Sequence, residues 1–332
     1  QLALEIQKNQ LDLNHLDFAT SYNNLGRVFR DKDDLIKAKE YYQLALKIQK
    51  EQLSPNDVNV AKSYNNLGTV CSNAGDLEKA KEYYQLALRI QKEQLRPNHV
   101  AVARSYNNLG TVYSATCDFE KAKEYLELAL EIQKEQLGPN HVHVAKSYNN
   151  LGTVYSNTDD PEKAEEYYQL ALKIQKEQLG RNHLDVASSY NNLGIVYRDI
   201  GDLEKAEKYL DLALEIRRKQ LGPNHLDVSR SYNNLGLVYS DIDDIERSKE
   251  YHDLALEIQK EHFEPNHVEV ARSYNNLGTV YSNTGDLEKA KEYHQLALEV
   301  KNEHIGHNHV NAAASHNSFV RYHSNDSSCI IL

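Results

Sequence analysis

Residues 63–68 read Ser63-Tyr64-Asn65-Asn66-Leu67-Gly68, and the same six residues begin again at 21, 105, 147, 189, 231 and 273. The Leu-Gly step falls at Leu25, Leu67, Leu109, Leu151, Leu193, Leu235 and Leu277, always 42 residues apart. Of the 23 tyrosines, 22 occupy just four positions of this period, and Tyr322 is the exception. A length of 332 residues would by itself suggest about two domains. Self-similarity at a fixed period instead marks a solenoid, in which each unit buries its apolar face on the next.

Within one unit the apolar spacing is helical twice over. Ala61, Tyr64, Leu67, Gly68 and Cys71 step along one face of a first helix, and Leu77, Ala80, Tyr84, Ala87 and Leu88 along one face of a second. Asp76 is placed to cap the second helix, since its carboxylate can accept the orphan amides of the first turn. Asp160 followed by Pro161 supports that start, proline being favoured at the first helical position. Gly75, Gly201 and Gly285 stand just before the cap, where ending the first helix calls for a left-handed backbone. The second helix runs on towards Leu95, so at ~1.5 Å per residue it is about 30 Å long. A turn containing Pro97, Pro139, Pro223 or Pro265 then breaks it, and no strand pattern is present. Gly68 and Ala80 leave room for two helix backbones to approach, with Tyr64 or Tyr84 filling the space beside them.

Composition removes several classes. Lys and Arg number 38 against 49 Asp and Glu, a net charge of −11, so the chain is not the basic type that binds nucleic acid. No apolar run approaches the ~18 residues a membrane helix needs. Three cysteines cannot make a disulfide framework and point to a reduced, cytoplasmic setting. The chain contains no methionine, and residues 1–8 align with 43–50. It is therefore expected to begin inside a repeat, as a piece of a longer protein.

The spacing of Tyr106, Leu109, Gly110, Tyr113, Ala122, Tyr125 and Ala129 resembles the tetratricopeptide repeat over seven units. That resemblance implies an all-α solenoid, a right-handed superhelix of antiparallel helix pairs. The 42-residue period, longer than the family's usual 34, the Asn-Asn-Leu sequence and the Gly-Pro-Asn-His loop are similar to kinesin light chain and nephrocystin-3-like repeats. Two features depart from that type: Val100, Val142 and Leu184 stand where it usually has a second loop proline, and no heptads supply its coiled coil. The expected organisation is a partial repeat, second helix only, at 1–18, seven repeats over 19–314, a degenerate capping helix at 315–323 and a polar tail at 324–332.

A helical wheel separates Lys62, Asn65, Thr69 and Ser72 from the apolar face. In the tetratricopeptide family that second face lines the concave surface, so the resemblance implies a groove ladder of Asn23, Asn65, Asn107, Asn149, Asn191, Asn233 and Asn275. An asparagine amide offers donors and an acceptor together and can hold a peptide backbone whatever its side chains. In kinesin light chains the matching asparagines contact cargo peptides, and the resemblance carries that role here. The alternative is that they bond to neighbouring helices and set the repeat spacing. The second asparagines, Asn66 and Asn108 among them, lie at the edge of the face, where a structural role is expected.

One turn before the ladder stand Lys62, Arg104, Lys146, Arg230 and Arg272, with Thr20 and Ser188 in the remaining repeats. Such cations favour and steer an acidic peptide; otherwise they are a solvated helix edge. The most basic stretch is expected from Lys62 to Lys146, with Asp31, Asp199 and Asp241 mixing the sign at the flanks, and Ile195 and Leu237 as an apolar pocket.

Nucleotide loops and Cys-x-x-Cys pairs are missing, and near-copies of one unit suit a ladder better than a catalytic constellation. No enzyme, cofactor or metal is expected. The loop histidines His99, His141, His183, His225, His267 and His309 read as turn elements, and the His141/His143 and His307/His309 pairs lack further ligands. Cys329-Ile330-Ile331-Leu332 has the form of a prenylation box at Cys329, which with one lipid chain gives weak membrane anchoring.

The reading is a non-enzymatic scaffold that binds extended, acidic peptide segments. Its partners are kinesin heavy chain or cargo if it is a true light chain, and its location is cytoplasmic, associated with cytoskeleton or membrane. The alternatives are an adaptor arm of a larger enzyme or NTPase whose catalytic part lies N-terminal, and a spacer using its outer acidic face.

Overall fold

The structure is a computed structural model that describes residues 16–32, 34–263 and 267–307. The partial repeat at 1–18 lies outside these residues except for its last three. The capping helix at 315–323, the tail and Cys329 lie wholly outside them.

The described residues form fourteen helices and no strand. The first helices of successive repeats are α1 (Leu16–Asp31), α3 (Val58–Asn73), α5 (Val100–Ala115), α7 (Val142–Asn157), α9 (Leu184–Ile200), α11 (Leu226–Asp241) and α13 (Val268–Asn283). The second helices are α2 (Leu35–Gln52), α4 (Leu77–Gln94), α6 (Phe119–Leu137), α8 (Pro161–Leu179), α10 (Leu203–Leu221), α12 (Ile245–His262) and α14 (Leu287–His307). The chain forms two compact units, residues 1–154 and 155–332. In the first, α1 packs on α2, α3 on α4 and α5 on α6, while α2 and α4 each also pack on the following first helix. In the second, α9 pairs with α10, α11 with α12 and α13 with α14, and α8, α10 and α12 each pack on the next first helix.

Side-chain caps begin these helices where the sequence places them. Asp34, Asp76, Asp118, Asp160, Asp202 and Asp244 accept the backbone N–H three residues on. The loop histidines cap the first helices: His99 Nδ1 accepts the Ala101 N–H at 3.0 Å, and His141, His183, His225 and His267 do the same at 3.1–3.2 Å. Gly75, Gly201 and Gly285 take positive φ, as expected. Cys117, Asp159 and Asp243 hold the same turn at φ 55–62°, a conformation that costs a residue with a Cβ roughly 1–2 kcal/mol.

Helix pairs close on the Leu-Gly step. A Cβ added at Gly68 would stand 2.6 Å from the Tyr84 ring, and one at Gly110 would stand 2.6 Å from Leu126 and 3.1 Å from the Ala122 carbonyl oxygen. Leu67, Leu109, Leu193, Leu235 and Leu277 are fully buried beside this contact. No described helix is long and apolar enough to cross a membrane.

Candidate ligand face on the first helices

The ladder asparagines sit mid-way along the first helices, where Asn23, Asn65, Asn107, Asn191 and Asn233 each meet the first helix of the next repeat. Asn65 Nδ2 donates to Ser105 Oγ at 2.8 Å, Asn23 Nδ2 to Ser63 Oγ at 3.2 Å, and Asn233 Nδ2 to Ser273 Oγ at 2.9 Å. Each serine hydroxyl in turn donates to a glutamine of the second helix packed beside it: Ser63 to Gln49, Ser105 to Gln91, Ser147 to Gln133, Ser189 to Gln175 and Ser273 to Gln259, all at 2.7–2.9 Å. This serine–asparagine–glutamine set ties helices together in a low-dielectric setting where every buried polar atom needs a partner.

The placement differs from the helical wheel. Asn65 is 7% exposed and Asn107 6%, so these side chains are wedged between neighbouring first helices rather than standing open on a face. A wheel describes one helix alone and does not register the crowding of the next one 42 residues on. The bond to a neighbouring helix, the alternative raised for the ladder, is the contact observed. The second asparagines join it, with Asn66, Asn150 and Asn234 donating to Asn23, Asn107 and Asn191 Oδ1 at 2.9–3.1 Å.

Not every amide is consumed. Asn107 Oδ1 accepts from Ser147 and Asn150, and Asn191 Oδ1 accepts from Arg217 and Asn234. Those donors fix the oxygen inward, and the Nδ2 groups of Asn107 and Asn191 have no hydrogen-bond partner. They are not sealed either, because among the described residues Gln259 Nε2 is the one enclosed side-chain polar atom without a partner. Asn149 and Asn275 are half-buried, and Asn275 Oδ1 accepts from His294 Nδ1 at 3.2 Å.

The cations beside the ladder differ between the units. Lys62, Arg104 and Lys146 in the first unit are exposed and form no ion pair, and the residues three before them are Asn59, Ala101 and His143. In the second unit the residues three before are acidic. Arg230 Nη1 lies 2.7 Å from Asp227 Oδ1, Arg272 pairs with Glu269, and Asp185 precedes Ser188. Burial, then His141, Lys146 and Arg104, hold the His143 imidazole below its ordinary value, which places it within the field of both cations.

Further along the face, Thr69 Oγ1 and Thr111 Oγ1 donate to the backbone carbonyls of Asn65 and Asn107. Ile195 and Leu237 are half-buried in the matching places. Arg198 pairs with Asp241, and burial pushes the Asp199 carboxyl above the usual carboxylate range. The sequence reading did not single out the serine and glutamine of the set, although both recur at the 42-residue period. It also passed over Arg217, which stands where Gln49, Gln91, Gln133, Gln175 and Gln259 stand in other repeats.

No curated relative matches the chain. Solved structures with this architecture include BtubC (BKLC) from P. vanneervenii, 25% identical over 77% of this chain and 94% of that one, with a TM-score of 0.55. The repeats of a kinesin-light-chain-like protein from Podospora anserina are 23% identical over 62% of this chain and 98% of that one, at 0.51. A Rap protein complexed with competence and sporulation factor is 17% identical over 85% of this chain and 74% of that one, at 0.65. The tetratricopeptide repeat model matches residues 17–93, 59–135, 101–177, 143–219, 185–261, 242–303 and 269–324. With helices pairing on the Leu-Gly step within each unit, the chain belongs to the tetratricopeptide repeat family.

Proposed function

We propose that the chain is a non-enzymatic interaction scaffold whose first-helix face holds an extended segment of a partner protein, with acidic segments preferred on the first unit. The observation that carries this reading is the row Lys62, Arg104 and Lys146, exposed and unneutralised in a chain of net charge −11. The row stands one turn from Asn107, whose Nδ2 is left for an outside acceptor. Seven copies of one unit supply the same side chains at each step, which suits an extended chain read at intervals. The Rap protein solved with competence and sporulation factor shares the fold, and holding a ligand on such helix pairs fits the same reading. The cargo-binding role of kinesin light chain is the finer form of the proposal.

The test is capture from an array of extended peptides of graded acidity, comparing the native chain with a Lys62→Glu, Arg104→Glu, Lys146→Glu variant and with Asn107→Ala. The native chain is expected to retain acidic peptides, less strongly as salt rises. The charge-reversed variant should lose them, and Asn107→Ala should weaken acidic and neutral peptides alike. An identical capture pattern for the native and charge-reversed chains would sink the reading.

A further inference from the structure

We propose that Arg217, with the free amide of Asn191, forms a subsite in the second unit that binds one carboxylate of a ligand. This rests on the first-helix face being a ligand surface, and it adds a second-helix residue that the ladder alone does not contain.

Arg217 takes the place that glutamine holds in five other repeats. Gln49, Gln91, Gln133, Gln175 and Gln259 each accept a serine hydroxyl. A guanidinium has donors only, so the polarity of this rung is reversed. Arg217 Nη1 donates to Ser231 Oγ at 2.7 Å, to Asn191 Oδ1 at 3.2 Å and to the Asp227 carbonyl oxygen at 3.3 Å. Ser231 then turns its own hydroxyl to the Asp227 carbonyl oxygen at 3.3 Å. Asn191, its oxygen held by Arg217 and Asn234, no longer donates to the serine as Asn65 and Asn233 do. The Asn191 amide protons are thus left free, as those of Asn107 are, but here beside a guanidinium.

Arg217 as a residue is only 9% exposed. All three of its hydrogen bonds leave from Nη1 and end on neutral oxygens, so its Nε–H and Nη2–H edge has no partner. That edge is not sealed, since these atoms are not among the enclosed ones without partners. A cation so far removed from water is costly unless an anion answers it. Asp227 does not, because its carboxylate is hydrogen-bonded to Arg230. Burial pulls Arg217 below its ordinary value, Asp227 opposes that and Arg230 adds to it.

The open edge of a guanidinium is the fork that matches the two oxygens of a carboxylate. The charges of Arg217, Arg230 and Asp227 leave one positive charge, which a single carboxylate balances and a phosphate dianion overshoots. The ligand group is therefore an aspartate or glutamate side chain or a peptide C-terminus.

The test reads Arg217 directly, on the full chain. Its Nε–Hε cross-peak is identified as the one absent from Arg217→Gln, a substitution that gives the residue found at Gln175 and Gln259. It is titrated with N-acetylglutamate N-methylamide, with N-acetylglycine and with N-acetylglutamine N-methylamide. A saturable shift with a carboxylate probe and none with the glutamine analogue is the expected result. The glutamate probe acting alone assigns the site to acidic side chains, and N-acetylglycine acting alone assigns it to C-termini. In parallel, Arg217→Gln should weaken capture of the acidic peptides by at least about tenfold, as for a lost charge-assisted hydrogen bond. A cross-peak indifferent to the carboxylates, or moved equally by the glutamine analogue, overturns the proposal. A saturable carboxylate shift together with unchanged capture by the charge-reversed first unit would overturn the acidic groove reading and leave this subsite standing.

Discussion

His252 lies where Tyr42, Tyr84 and Tyr168 or Leu126 and Leu210 lie in other repeats, pressed against Gly236. It is buried, donates its Nδ1–H to Asn233 Oδ1 at 2.9 Å, and burial pushes its value from 6.5 down to about 3. A base whose folded value is depressed stabilises the fold fully above the unfolded value. That contribution is lost as pH falls from 6.5 towards 3, because the unfolded chain takes up a proton the folded one refuses. At one pKa unit per ~1.4 kcal/mol, His252 alone should cost about 2 kcal/mol of stability between pH 7 and pH 5. His252→Leu, copying Leu210, should flatten that part of the slope in denaturant titrations at the two pH values. Parallel pH profiles for the two chains would refute the assignment.

At the scale of the helix, the serine–asparagine–glutamine set joins three helices at Ser63, Ser105, Ser147 and Ser273. Removing Ser105 strips a partner from both Asn65 Nδ2 and Gln91 Oε1. Ser105→Ala is therefore expected to destabilise by about 1–3 kcal/mol, measured by urea unfolding, because two buried groups lose their bonds for one hydroxyl removed. The helices themselves were legible in advance. Apolar spacing, Asp76 and Asp160 as caps, and glycine before the cap are local signals, and each matches its place in the structure. The ladder was legible as a repeated position but not as a contact. Whether Asn65 faces solvent or Ser105 depends on how close the next repeat sits, and no single-helix pattern contains that distance. The recurrence of Ser105 and Gln91 in step with Asn65 was the available clue. Arg217 carried a clue of another kind, as a charge in the place of the neutral Gln49, Gln91, Gln133, Gln175 and Gln259.

Within each unit the described repeats meet chiefly their neighbours, so stability adds up from repeats and their interfaces. Leu109 is fully buried, and Leu109→Ala is expected to cost about 2–5 kcal/mol in the repeat that holds it. Amide hydrogen exchange should then rise in α5, α6 and the adjoining α3 and α4, and remain unchanged in α11 to α14. A uniform rise along the chain would instead mean one cooperative unit.

Because Ser63 and Ser105 make the same bonds to Gln49 and Gln91, the interface is interchangeable between copies. Excising residues 58–99 would bring Ser105 beside Gln49 and Asn23, with the serine–asparagine–glutamine bonds of the lost step made again by identical groups. The array can therefore be shortened or lengthened in whole units of 42 residues, and a cut of any other length would set unlike residues against each other. Length is thus a variable that recombination can change while keeping the polar set between repeats.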